Sequence, residues 1–170
     1  MYILKKFKTF TIGASNIEEI KKIKKALYFI EDNAVHSFSS VKLIRSILVR
    51  PRGTYDNMLF PEESVYVCEP KTIQEASKAY LASLFVHEGV HMRQWKRKEK
   101  YIGSDAEQRA YKFQRNFLKK FGDIGEVEWL DKCFEGQWWV DKKNKTSFSH
   151  GDKNLISFCK KYIEGKLIKK

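Results

Sequence analysis

Two of the chain's four histidines stand in the stretch "LFVHEGVHMRQW", residues 84–95, four positions apart and with a glutamate directly after the first. On a helix, positions i and i+4 differ by only about 40° of rotation and one turn of rise, so His87 and His91 can aim two imidazoles at one metal ion. Glu88, turned by roughly another 100°, lies beside that metal without having to bind it. Hydrolytic metal sites need this combination: two nitrogen ligands held by a rigid helix, and a carboxylate placed to take a proton from the attacking water.

Chance produces the pattern His-Glu-x-x-His in roughly one such chain in a hundred. Packing is the other competitor, since a lone buried histidine is ordinarily a satisfied core residue. Two histidines and a glutamate in one turn of an otherwise apolar helix are harder to bury, because polar groups without partners are costly there. A metal supplies those partners together. Gly89, inside the motif, costs about 1 kcal/mol in a helix relative to alanine, which predicts a close backbone approach at that point, with the sheet as the expected neighbour.

Zinc hydrolases commonly use three protein ligands and keep the fourth position open. The metzincin spacing does not supply the third, because Gln94 and Arg97 stand where that pattern has glycine and histidine. The following segment, "SDAEQRAYKFQ", offers Glu107 near the start of a further helix, on the flank shared with Ala110, Tyr111 and Gln114. A hairpin through "KYIGS" would return this first turn to the histidine helix. Glu107 also fits the N3 position of a capping box with Ser104, and Asp105, Glu126 and Glu128 are reserve ligands.

With these residues the sequence resembles the gluzincin metallopeptidases, the zincin clan with HExxH on one helix and a glutamate ligand on the next. It is most similar to the small HExxHxxQ subgroup, through Gln94. The resemblance rests on His87, Glu88, His91, Gln94, Glu107 and Ala110. It implies a Zn2+ ion bound by His87, His91 and Glu107, with Glu88 as general base. It also implies hydrolysis of peptide bonds in a protein or peptide substrate, and an extended peptide pairing with the strand nearest the active-site helix, "ESVYVCE". One departure concerns the residue that orients the first histidine: many gluzincins carry an aspartate four positions after the glutamate ligand, and Tyr111 stands there. Candidates to stabilise the oxyanion or to support the ligands are Tyr111, Gln94 and His150, with Tyr101 and Arg109 beside them. His150 and His36 otherwise read as loop residues, and Trp138 and Trp139 as packing residues or a cleft wall.

The elements that must position these groups follow from periodicity and punctuation. "FKTFTI" at 7–12 reads as a strand. Ser15 and Glu18 form a capping box for a helix carrying Ile17, Ile20, Ile23, Leu27 and Ile30. "VKLIRSILVR", "TYDNMLF" and "ESVYVCE" read as strands bounded by turn residues, and short connections favour an antiparallel meander. Thr72 and Glu75 form a capping box opening a helix to about Lys98. Its "AYLASLFV" centre is apolar all round, as expected of a central helix. Another helix runs from about Asp105 to Phe121, and "VEWLDKCFEGQWW" and "KNLISFCKKYIEG" suggest two more. The expected fold is α+β: a minimal zincin-like domain over residues 1–170, with a small antiparallel or mixed sheet packed on the HExxH helix. Residues 1–70 form the strand-helix-strand meander, and residues 71–170 the active-site helix and a mostly helical C-terminal half.

The chain has 170 residues, 42% of them hydrophobic and 14% aromatic, enough for one core and far from a disordered composition. Its three cysteines, Cys68, Cys133 and Cys159, form no CxxC pair and read as reduced packing thiols of a cytoplasmic protein. Lys5, Lys6 and Lys8 interrupt any N-terminal leader, and no segment reaches the apolar length of a membrane span. A net charge of +12 raises the possibility of nucleic acid or another acidic partner, most of all at "KRKEK", residues 96–100. The lysine pairs are nevertheless scattered along the chain, which suits solvated faces of a monomer. Two alternatives to a peptidase remain at this level: a basic nucleic-acid-binding module and a non-catalytic zincin-like scaffold.

Overall fold

The computed structural model describes residues 2–50 and 57–135, together with 154, 156, 157, 160 and 161. Strands β1 (Ile3–Phe7) and β2 (Phe10–Ala14) are followed by helices α1 (Ile17–Asn33) and α2 (Val35–Val41). Then come β3 (Ser46–Val49), β4 (Met58–Phe60), β5 (Val65–Cys68), the short α3 (Pro70–Glu75), and the longer α4 (Lys78–Lys96), α5 (Ser104–Phe121) and α6 (Ile124–Glu135). The fold is α+β, as the order of patterns predicts.

The five strands form one sheet in the order β1-β2-β3-β5-β4. β1 and β2, like β4 and β5, pair antiparallel, whereas β2 with β3 and β3 with β5 pair parallel. The sheet is therefore mixed, and the expected meander is corrected. α1 and α2 together carry the chain from β2 to the parallel β3, and α2 (Val35–Val41) takes in Val41, the first residue of the expected strand "VKLIRSILVR". "FKTFTI" is likewise a hairpin and not one strand. Its alternation continues through a turn at Lys8, which takes a positive φ of 51°.

Burial on both faces explains the uninterrupted apolar runs of the inner strands. Ile47, Val49, Tyr66 and Cys68 face the main core with Ile23, Leu27, Phe85 and Met92. Leu48, Val65 and Val67 face the other way, against Phe60 and Ile156. β5 has neighbours on both sides, so it offers no free edge to a peptide. That expectation is corrected as well: the edge strand on this side is β4.

Two helix starts differ from their predicted caps. Asn16, not Ser15, caps α1, its side-chain oxygen accepting from the Glu19 amide at 2.9 Å. Thr72 and Glu75 lie inside α3, after which Ala76 and Ser77 are extended and the Ser77 hydroxyl caps α4 at Tyr80. α4 packs against α1, α2 and α5, so the helix that is apolar all round in sequence is central in the structure. No helix among the described residues is long and apolar enough to cross a membrane. The predicted C-terminal helix is described only at residues 154, 156, 157, 160 and 161, all helical, with Ile156 buried.

Candidate metal centre

α4 presents His87, Glu88 and His91 from one stretch of its length, and Ser83 and Gln94 flank them on the same helix. Gly89 holds this stretch against a neighbour. A Cβ there would lie 2.9 Å from the Val41 main-chain nitrogen and 3.1 Å from the Ser40 carbonyl carbon. The close approach therefore comes from α2 and not from the sheet. Gly89→Ala gains about 1 kcal/mol of helix propensity, but it drives a carbon into backbone that cannot turn away, at a typical cost of about 1–3 kcal/mol. The expected outcome is a net loss of stability, read as a lower urea midpoint at unchanged slope.

The chain turns after Arg97 with Lys98 at a positive φ of 59°, and Gly103, at φ 94°, precedes α5. α5 then returns beside α4, with Gln114 opposite Ser83 and Glu107 opposite the histidines. Ser104 is the first residue of α5 and not its cap; its hydroxyl accepts from Gln108, 3.3 Å away. The capping-box role for Glu107 is therefore absent, and its carboxylate points across the hairpin. Asp105 and Glu128 are exposed, and Glu126 bonds Ser77 and the Asp123 amide, so none of the reserve ligands joins the cluster.

His87 Nε2 and His91 Nε2 lie 3.0 Å apart. Glu107 Oε2 is 3.3 Å from the first and Oε1 3.4 Å from the second. A tetrahedral zinc with bonds of about 2.0–2.2 Å separates its ligand atoms by about 3.3–3.6 Å, and each histidine–carboxylate separation matches that spacing, the two being made by different oxygens of Glu107. These residues form a group that could hold a metal ion. Their side chains are 16%, 6% and 23% exposed for His87, His91 and Glu107, which opens the cluster to solvent on the His87 and Glu107 side.

The outer nitrogens are occupied. His87 Nδ1 meets Gln114 Oε1 at 2.9 Å, and His91 Nδ1 meets Gln94 Oε1 at 3.0 Å. An amide oxygen only accepts, so each Nδ1 carries hydrogen and each neutral imidazole turns a lone pair inward at Nε2. Two lone pairs and a carboxylate then converge on one point. A cation, whether a proton or a metal ion, relieves that arrangement.

Titration behaviour agrees. Burial alone would push the Glu107 carboxyl up, but its bonds to His87 and His91 outweigh burial and hold it well below the ordinary carboxylate range. Burial pushes the His91 imidazole down, and Glu107, Glu88 and Gln94 more than reverse this. A depressed carboxyl contributes stability above its unfolded value that is lost on acidification; a raised imidazole contributes stability below its unfolded value that is lost as pH rises. In the metal-free chain both contributions are present together between about pH 4.3 and 6.5, and above that window the imidazole's contribution fades. Metal must displace the proton, so its contribution grows with pH. The gap in melting temperature between zinc-loaded and metal-free protein is expected to widen from roughly pH 6 to pH 8; calorimetry at both ends checks this, and a constant gap contradicts it.

Glu88 is half-buried beside the cluster. Burial pushes its carboxyl up, the two histidines pull it down and Glu107 pushes it up, with a raised value as the result. Its charge also reaches the buried Tyr66 hydroxyl and Cys68 thiol of β5, so the carboxylate lies on the sheet side of the histidines. A carboxyl with raised affinity for protons, next to a cation site, is suited to take and return one.

The remaining candidates fall elsewhere. Tyr111 donates its hydroxyl to Asp131, which also receives Arg115 in a two-point ion pair, and burial followed by Asp131 pushes that hydroxyl up to about 12. It braces α5 against α6, and the place beside His87 belongs to Gln114. Tyr101 packs edge-on against Trp95, and Arg109 pairs at 2.9 Å with Glu99, the one acidic residue of the "KRKEK" run. His36 is exposed on α2. His150, Trp138 and Trp139 lie outside the described residues, as does most of the 141–154 loop. Gln114, placed from sequence on the flank of Glu107, was given no role there, although standing seven positions after Glu107 puts it on the same helical stripe.

The family described as Domain of unknown function (DUF6647) matches residues 14–143, which take in every member of the cluster. The chain belongs to this family. No curated protein and no solved structure matches the chain. Since the family's description assigns no activity, the reading of this chain's HEGVH helix rests on the geometry given above.

Proposed function

We propose that this chain is a zinc-dependent metallopeptidase of the gluzincin type, with His87, His91 and Glu107 as metal ligands and Glu88 as general base. The observation that carries the reading is the convergence of two imidazole nitrogens, 3.0 Å apart, on one carboxylate whose Oε2 and Oε1 lie 3.3 and 3.4 Å from them, a group that could hold one metal ion. Two nitrogens and one carboxylate are a donor set that suits zinc and leaves a fourth position for substrate.

Bound there, zinc supplies Lewis acidity, polarising a carbonyl and making a water easier to deprotonate. The chain's own residues do the rest. Glu88 takes the proton of the attacking water, and its raised proton affinity holds that proton until the leaving nitrogen receives it. Gln94 and Gln114 keep both imidazoles turned inward throughout. Among the described residues β4 is the outer strand on this side of the sheet, and an outer strand is the kind of surface that accepts an extended peptide.

Cleavage of a generic unfolded protein by the zinc-loaded chain tests the proposal. Hydrolysis abolished by a chelator and restored by added zinc supports it. Zinc-loaded protein that cleaves nothing, with metal bound at the three ligands, would favour the scaffold reading instead.

A further inference from the structure

We propose that Gln114, held in place by Ser83, is the positioning residue for His87, through a chain of buried hydrogen bonds that leaves the imidazole only the metal-binding tautomer. The inference rests on the metal reading above and names a residue that the motif does not contain.

The direction of every bond in this chain can be worked out from its far end. The Ser83 hydroxyl lies 2.7 Å from the Tyr80 main-chain carbonyl, which can only accept, so Ser83 donates its single proton there. The same oxygen lies 3.3 Å from Gln114 Nε2, and having no second proton it must accept from the amide. Gln114 is thereby oriented with its carbonyl oxygen toward His87 Nδ1, 2.9 Å away. Nδ1 then carries hydrogen, and Nε2 keeps its lone pair for the cluster with His91 and Glu107.

Reversing the amide would set its carbonyl against a hydroxyl whose proton is already committed, unless Ser83 abandoned Tyr80. Either way a buried bond is lost. Ser83 is fully buried and Gln114 is 3% exposed, so bulk water does not replace it.

The comparison with His91 sharpens the assignment. Gln94 makes the equivalent bond to His91, but its Nε2 is buried without a partner among the described residues. Among the described residues nothing beyond the imidazole therefore fixes the direction of that amide. Of the two histidines, His87 is the one whose tautomer is set from outside the site.

Gln114 also adds no charge. A carboxylate in its place would orient His87 equally well and make it more basic. The amide separates these two effects: it orients the ligand and leaves the cation's charge to be offset by Glu107 alone among the donors.

The test pairs Gln114→Leu, which removes the acceptor, with Gln114→Glu, which keeps it. Zinc affinity measured by competition with a chelator is expected to fall about 10–100-fold in Gln114→Leu and to stay near wild type in Gln114→Glu. In metal-free protein at alkaline pH, where the imidazoles are neutral, two-bond proton–nitrogen NMR spectra should place the His87 hydrogen on Nδ1 in wild type and in Gln114→Glu. In Gln114→Leu a substantial share should move to Nε2. If Gln114→Leu fails to fold, Ser83→Ala, which deletes only the hydroxyl, carries the same comparison. Wild-type protein that binds no zinc overturns the metal reading. Zinc-binding protein whose His87 tautomer and zinc affinity are indifferent to Gln114→Leu overturns this inference alone.

Discussion

Glu88→Gln is expected to reduce peptide hydrolysis by about 10²–10⁴-fold, the range that a positioned general base contributes, while zinc content and unfolding midpoint change little. The substitution keeps the shape of the side chain and removes its ability to take a proton. Its environment favours folding of the variant: Glu88 is half-buried on the sheet side of the histidines, and burial is the main cause of its raised proton affinity. A neutral amide removes the strain of holding a charge there, so metal-free Glu88→Gln should be at least as stable as wild type above the ordinary carboxylate range. A stable, zinc-loaded and inactive variant separates the base from the ligands. Equal activity in variant and wild type removes Glu88 from the chemistry.

The second large effect concerns the ligands. His87→Ala or Glu107→Ala should lower zinc affinity by more than the about 10–100-fold that loss of a supporting partner produces, because each removes one of three donors. Zinc at a hundred times its dissociation constant stabilises wild type by about 2.7 kcal/mol, and this increment should disappear in both variants. Without metal the two should diverge. Glu107→Ala deletes the carboxylate that favours the protonated His91, so the metal-free variant should also lose the stability expected of wild type between about pH 4.3 and 6.5. Thermal melts with and without zinc at two pH values check both statements. A zinc-dependent increment that survives Glu107→Ala would return that residue to a purely local role.

Much of this site was legible in one dimension because its ligands come from two consecutive helices. His87, Glu88 and His91 are fixed relative to one another by helical periodicity alone, and Glu107 needed only the inference that α5 folds back along α4. Gln94 was legible for the same reason, being three residues from its partner. Gln114 was not, because its bond to His87 spans the hairpin and depends on how deeply α5 seats against α4. Tyr111, adjacent on the sequence stripe, turns instead to Asp131.

The sheet was harder to read. Strand content was visible in the apolar runs around Ile47 and Tyr66, but the parallel pairing of β3 with β2 follows a connection through α1 and α2, and its pairing with β5 leaves β4 outside. "VHSFSSV" has no strong helical signature, since serines and valines favour other conformations. It is held helical by packing: Phe38 and Val41 are buried in the main core, and α2 lies against Gly89 of the motif helix. That contact also accounts for the motif's glycine, which from sequence pointed to a close neighbour without saying which.

Elemental analysis of protein purified without a histidine tag tests the central claim most directly. The account predicts about one zinc per chain in wild type and in Glu88→Gln, and none retained through dialysis in His87→Ala or Glu107→Ala. Wild-type protein that is metal-free after purification and binds no added zinc, or zinc that remains after Glu107→Ala, contradicts it.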